Sequence, residues 1–302
     1  MKRFLIQTSI LTLFVLLSFG LIISRTDGCS DNFYLRFTSP VQKSLIIGTS
    51  RAAQGLLPDI LNFETDFSLY NYSFTVIQSP YGPAYYNSIV KKVDPKSKNG
   101  LFLVTIDPWS IASDKTNPED STLFRETNLC VANTPFVAMN PNFFYLVNNN
   151  SFGKYIKPLF LKEQTVCLHN DGWLEISVDI GDSAEIEGRI EKKVALYRAT
   201  MLPKNSYSDL RMKYLLKTIA FLKKHGRVYL IRLPIHPSIM AIEDELMPDF
   251  NNKIQKAVES SNGYLNLTSY NKEMSYTDGN HLDLKSAKHV SEKVKNWVQG
   301  LK

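Results

Sequence analysis

The stretch Ser44-Leu45-Ile46-Ile47-Gly48-Thr49-Ser50-Arg51 decides how this chain is read. Leu45, Ile46 and Ile47 follow one another without a polar break, which suits a short strand buried on both faces rather than one with a wet side. Gly48 ends the run, and a turn there presents Ser50 at the strand's carboxyl end. In open parallel sheets, ligands gather beyond those ends. The first strand therefore already points to a site.

Working outward, Phe67–Ile77 is aromatic and β-branched with partial alternation, and reads as a second strand. Ser79-Pro80-Tyr81-Gly82-Pro83 is a turn, followed by a helix over Ala84–Val93 that ends in Lys91-Lys92. Leu101–Ile106 is a third buried strand, closed by Asp107-Pro108. Leu210, Tyr214, Leu215, Ile219 and Leu222 have helical spacing, and Gly226 follows as a stop. Val228–Leu233 is a fourth strand ending at Pro234. Ile239–Ser260 is helical with a break near Pro248, and Gly263–Leu267 is a fifth strand. Leu284–Leu301 closes the chain as an amphipathic helix burying Ala287, Val290, Val294, Trp297 and Val298. Strands separated by helical patterns predict a flavodoxin-like α/β fold, a doubly wound parallel sheet of about five strands.

The stretch from about 110 to 196 breaks this rhythm, because connections in compact α/β domains are usually about 4–6 residues. It is rich in Asn and Pro up to Asn150, and Trp173–Ile180 with Glu185–Leu196 reads as a hairpin. The expectation is an inserted, β-containing segment, either a substrate-facing cap or a partly ordered loop. Gly181-Asp182-Ser183 within it reads as a hairpin turn.

At the amino end, Lys2-Arg3 precede an apolar run from Phe4 to about Ile23. About 20 helical residues suffice to cross a bilayer's hydrocarbon core, and the basic pair argues that the start stays cytoplasmic. Residues 1–24 are read as a membrane signal-anchor, 25–42 as a stalk and 43–302 as the α/β domain. Two alternatives stay open: a cleaved signal peptide with Ser18-Phe19-Gly20 as its site, and lipidation at Cys29. Either reading leaves the main domain outside the cytoplasm. Cys130 and Cys167 are read either as a disulfide or as two separate buried thiols.

The 302 residues are 44% hydrophobic and 21% charged, with a net charge of +6, which describes an ordinary globular chain. Lysine pairs such as Lys91-Lys92, Lys192-Lys193 and Lys223-Lys224 are isolated. No basic stripe interleaves with aromatics, which argues against nucleic-acid binding. No Cys/His spacing matches a zinc site, and neither metal nor cofactor is implied.

A serine hydroxyl becomes a useful nucleophile when a base takes its proton. Asp278-Gly279-Asn280-His281 offers that base, since a carboxylate three residues before an imidazole, in a loop entering a helix, reaches Nδ1 while Nε2 faces outward. His169, His225, His236 and His289 read as structural or surface rings. Serine on the first strand and Asp-x-x-His before the last helix is the chain order of the SGNH (GDSL-type) hydrolases, and this sequence resembles that family. The resemblance implies Ser50 as nucleophile, His281 as general base and Asp278 as orienter. It makes the backbone at Ser50 and Gly82 candidate oxyanion donors. Arg51 is a candidate for an anionic substrate group or for a buried carboxylate. Trp109, with Tyr81, Tyr85 and Tyr86, is a candidate platform for sugar rings or a part of the core.

The sequence departs from the family after the third strand. It has Asp107-Pro108-Trp109-Ser110 where a Gly-x-Asn-Asp block with an asparagine donor is usual, and a carboxylate repels an oxyanion. The chain looks most similar to membrane-anchored periplasmic acylation proteins of the alginate O-acetylation and D-alanine transfer type. That likeness implies an ester-bearing glycan or lipid substrate and a multi-spanning membrane acyltransferase as partner. Two function classes follow: a serine esterase or O-acyltransferase, and a non-catalytic binding or assembly module of the same fold.

Overall fold

A computed structural model describes residues 1–23, 26–62, 68–149, 165–177 and 183–301. Phe67, residues 178–180 and the Gly181-Asp182 pair, all used in the reading above, lie outside the described residues.

The strands in chain order are β1 (Ser44–Ile47), β2 (Leu69–Asn71), β3 (Gly100–Thr105), β4 (Ala112–Asp114), β5 (Val166–Leu168), β6 (Leu174–Ile176), β7 (Asn205–Tyr207), β8 (Gly226–Arg232) and β9 (Tyr264–Asn266). Five of them form the central sheet in the order β2-β1-β3-β8-β9, and every pairing in it is parallel. This is the doubly wound α/β arrangement expected, with the chain reversing direction across the sheet at β1 and β3.

Side chains alternate across the sheet, as pleated strands require. Leu45, Ile47, Phe102, Val104, Val228 and Leu230 face one core, where the helices Pro83–Lys92 and Asp209–Leu222 add Tyr85, Ile89, Leu215 and Ile219. Ile46, Leu101, Leu103, Tyr229 and Ile231 face the other, covered by Ala287, Val290, Val294 and Val298 of the helix Leu284–Gly300. Asp283 caps that last helix, accepting from the Ser286 N–H at 2.7 Å. The cap, two residues beyond His281, fixes the helix start at Leu284.

Three expectations change. The segment Glu185–Leu196 is not a strand: Ser183–Leu196 is a helix. Its Ile186, Ile190 and Val194 recur every four residues and are half-buried, with Tyr197 buried beyond them. That spacing is helical, and it outweighs the local Glu-Ile-Glu alternation. The hairpin in the insertion pairs β6 with β5 instead.

The segment read as a stalk is folded onto the domain over part of its length. Tyr34–Thr38 is a helix with Tyr34 and Phe37 in the core, and its buried Arg36 donates to the carbonyls of Asn32, Asn71 and Gly172. Lys92 clamps this segment to the insertion, its Nζ donating to the carbonyls of Arg36, Ser39 and Val137 at 2.6–2.8 Å. Burial pushes this amine down to about 7. The third change is the disulfide, which joins Cys29 to Cys167, while Cys130 is a buried free thiol. The bridge sits where the Leu168 N–H donates to the Gly28 carbonyl at 2.9 Å.

The N-terminal helix Lys2–Ile23 is separate in character. Its Lys2–Leu21 portion is long and apolar enough to cross a membrane, with none of it buried in protein. Such a helix is a membrane anchor or a signal sequence.

Candidate active site

The turn that carries Ser50 is built by close approach. A Cβ at Gly48 would overlap Thr105 Oγ1 on the neighbouring strand, so only glycine lets β1 run this near to β3 before it turns. The turn is pinned on both sides. The Gly48 N–H donates to Tyr85 Oη at 3.1 Å, and the Gly48 carbonyl accepts from Ser79 Oγ at 2.7 Å. Ser50 then opens the short helix Ser50–Gly55 and is half-buried.

At the other end of the chain, Gly279 takes φ +79°, a conformation that favours glycine, and lets the loop Asp278–His281 curl back on itself. Asp278 Oδ1 accepts the backbone N–H groups of Asn280 and His281, each at 3.0 Å. The loop therefore organises its own carboxylate before any contact with the ring.

The two ends meet. Ser50 Oγ lies 2.9 Å from His281 Nε2, across 231 residues of sequence. His281 Nδ1 lies 3.0 Å and 3.1 Å from the two oxygens of Asp278. With Nδ1–H donated to the carboxylate, Nε2 carries the lone pair that faces the hydroxyl. Asp278 also receives Lys193 Nζ, at 2.8 Å on Oδ2. Burial opposes the carboxylate's charge, but hydrogen bonds from His281 and the Lys193 ammonium hold it well below the usual carboxylate range.

Asn280 is adjacent to the ring's Nε2. Its Oδ1 accepts from Arg51 Nε at 3.1 Å, Arg51 Nη2 at 2.9 Å and Tyr197 Oη at 3.3 Å. With the oxygen so occupied, Nδ2 points to His281 Nε2, 3.2 Å away. No feature of the sequence singled out Asn280 or Lys193; both are recognisable only from the folded chain.

Arg51 faces protein. Nη1 stands 2.6 Å from Glu243 Oε1 and 3.8 Å from Asp107 Oδ2, and the side chain is 7% exposed. Of the two readings of Arg51, the buried-carboxylate one describes its position, because its donors are already engaged. Burial alone works against the guanidinium, but Glu243 and Asp107 raise its pKa. Burial also raises the Glu243 carboxyl, against the pull of Arg51 and Arg232.

The remaining candidates lie further out. Trp109 is 4% exposed and packs edge-on against Tyr197, ring centroids 4.9 Å apart. It lines a cavity of about 70 Å³ together with Val76, Pro80 and Arg211. Tyr81 and Tyr85 are core residues, and Tyr86 packs beside Tyr214. Gly82 is packed against the Glu126–Arg211 ion pair, where a methyl group would come within 2.7 Å of Glu126 Oε1. That packing accounts for the glycine without reference to Ser50. Asp107 uses its side chain to cap the following turn, accepting from the Ser110 N–H at 2.9 Å. The other histidines are engaged structurally or exposed: His169 meets Glu175, His225 meets the Ser97 carbonyl, His236 accepts from the Ser238 N–H and His289 is exposed.

No family model matches this chain, and no curated protein matches it. Among solved structures, a carbohydrate acetylesterase family member from Sinorhizobium meliloti is similar at 11% identity and a TM-score of 0.36, over 86% of this chain and 99% of that one. A likeness this loose transfers no activity, so the functional reading rests on the site's own geometry.

Proposed function

We propose that the chain is a membrane-tethered, extracytoplasmic serine esterase or O-acyltransferase of SGNH type, acting on ester groups of envelope glycans or lipids. The observation that carries the reading is the contact of Ser50 Oγ with His281 Nε2 at 2.9 Å, with Nδ1 of the same ring on Asp278. In this reading Ser50 Oγ attacks the ester carbonyl as its proton passes to Nε2. Asp278 holds the ring's tautomer and stabilises the imidazolium. The tetrahedral intermediate collapses, Nε2–H protonates the departing alkoxide, and the acyl group stays on Ser50. Water or an acceptor hydroxyl, deprotonated by His281, then removes it. The Ser50 backbone N–H, at the start of its helix, is the donor we assign to the oxyanion.

Export is supported by two features that agree. The apolar N-terminal helix precedes the domain, and the Cys29–Cys167 disulfide suits an oxidising compartment.

A second reading, a binding module without turnover, is favoured by one observation. Asp107 brings a carboxylate to the end of β3, 3.5 Å from Thr49 Oγ1, where the family usually has an amide donor. Hydrolysis of p-nitrophenyl acetate by the full chain separates the two. The enzyme reading expects Ser50→Ala and His281→Ala each to lower kcat about 10³-fold or more. A Ser50→Ala protein that turns over at the wild-type rate removes Ser50 as nucleophile. Folded wild-type protein without turnover favours the module.

A further inference from the structure

The inserted helix Ser183–Leu196 meets the Asp-x-x-His loop at three points. Arg189 Nε donates to the Thr277 carbonyl at 3.0 Å, Ile190 packs where a Gly279 side chain would stand, and Lys193 Nζ pairs with Asp278 Oδ2 at 2.8 Å. That same oxygen is 3.1 Å from His281 Nδ1. The ammonium is therefore within about 6 Å of the ring, a range over which a like charge measurably disfavours protonation.

We infer that Lys193, contributed by the insertion, is a positioning residue that shares the Asp278 carboxylate with His281 and so opposes protonation of the ring. The inference rests on the esterase reading and deepens it. Its logic is a balance on one carboxylate. Asp278 alone would favour the imidazolium. Lys193 takes part of that charge, so the ring keeps its orienting hydrogen bond but gains less basicity from it.

Other charged groups around the loop are accounted for. Arg51 is bound by Glu243 and Asn280, with Asp107 beside it. The His236 N–H donates to the Gly279 carbonyl at 3.1 Å, and the charge of Glu187 works against the burial of the His236 ring. Tyr197 contacts Asn280. On the loop's own element, Asp283 caps the last helix and Tyr276 donates to the Asn271 carbonyl. Among the described residues, Lys193 is the cation paired with the Asp278 carboxylate.

The test is a pH titration of the His281 imidazole by NMR, using histidine-labelled full chain in detergent, for wild type, Lys193→Met and Lys193→Arg. Removing the charge should raise the His281 pKa by about one unit, while arginine should leave it near wild type. The acidic limb of p-nitrophenyl acetate hydrolysis should move to higher pH by the same amount, about a tenfold loss on the limb. An unchanged His281 titration in folded Lys193→Met, or a rate loss equal at every pH, would overturn the inference and leave Lys193 a structural prop. Lys193→Gln repeats the test should the methionine variant fold poorly. The NMR arm stands without turnover, so failure here is distinct from failure of the esterase reading.

Discussion

The two ends of the domain and the segment between them are built on different principles. Ser44–Ser50 and Asp278–Gly300 have key residues fixed by burial, capping or the site: Gly48 by a close approach, Asp283 by a helix cap, Asp278 by a loop that organises its own carboxylate. The insertion is tied to distant elements, among them through the Cys29–Cys167 bridge, the Lys92 clamp at Val137, the contacts of Arg189 and Lys193 beside the Asp278–His281 loop, and Val131, Val137, Tyr145 and Leu146 in the main core. Through Arg189 and Lys193 the insertion meets the Asp278–His281 loop.

Breaking the bridge tests that contrast most severely. Cys29→Ser with Cys167→Ser opens a link across 138 residues and should lower stability by about 2–4 kcal/mol in thermal or urea unfolding. If the ends form the site by themselves, the folded fraction should keep its rate per molecule. A collapse of that rate at full folding would make the insertion part of the catalytic frame.

Gly48→Ala strikes the end block instead. The added methyl overlaps Thr105 Oγ1, and the repacking should cost about 1–3 kcal/mol. Here stability and turnover should fall together, since the turn that presents Ser50 must move. A variant with native melting and native rate would refute the close-approach account of the turn.

The smallest effect expected is a pH dependence. Asp278 is held below its unfolded carboxylate value, so its contribution to stability is full above about pH 4 and fades as pH falls through the folded value. The stability gap between wild type and Asp278→Asn should therefore be constant near neutrality and shrink below about pH 4. A gap that widens on acidification would reverse the assigned sign.

Much of the fold was legible because burial on both faces leaves an unbroken apolar run, as at Leu45–Ile47 and Leu101–Val104. The Asp278–His281 spacing was legible because it is local. Asn280 and Lys193 were not, since their partners lie far along the chain: Arg51 is 229 residues from Asn280. The helix Ser183–Leu196 was readable from Ile186, Ile190 and Val194, but the charges between them imitate a strand's alternation. The partner of Cys29 depended on β5 meeting the N-terminal segment, which no local pattern encodes. Tyr34–Thr38 is too short for a periodic signal, and its packing decides its form.

If Ser50 and His281 work as one unit, as proposed, covalent labelling reads it directly. Full chain treated with a fluorophosphonate probe should gain one adduct, located at Ser50 by mass spectrometry. Folded His281→Ala protein should gain almost none. Equal labelling of Ser50 in both proteins, or an unlabelled Ser50 in folded wild type, would contradict the claim.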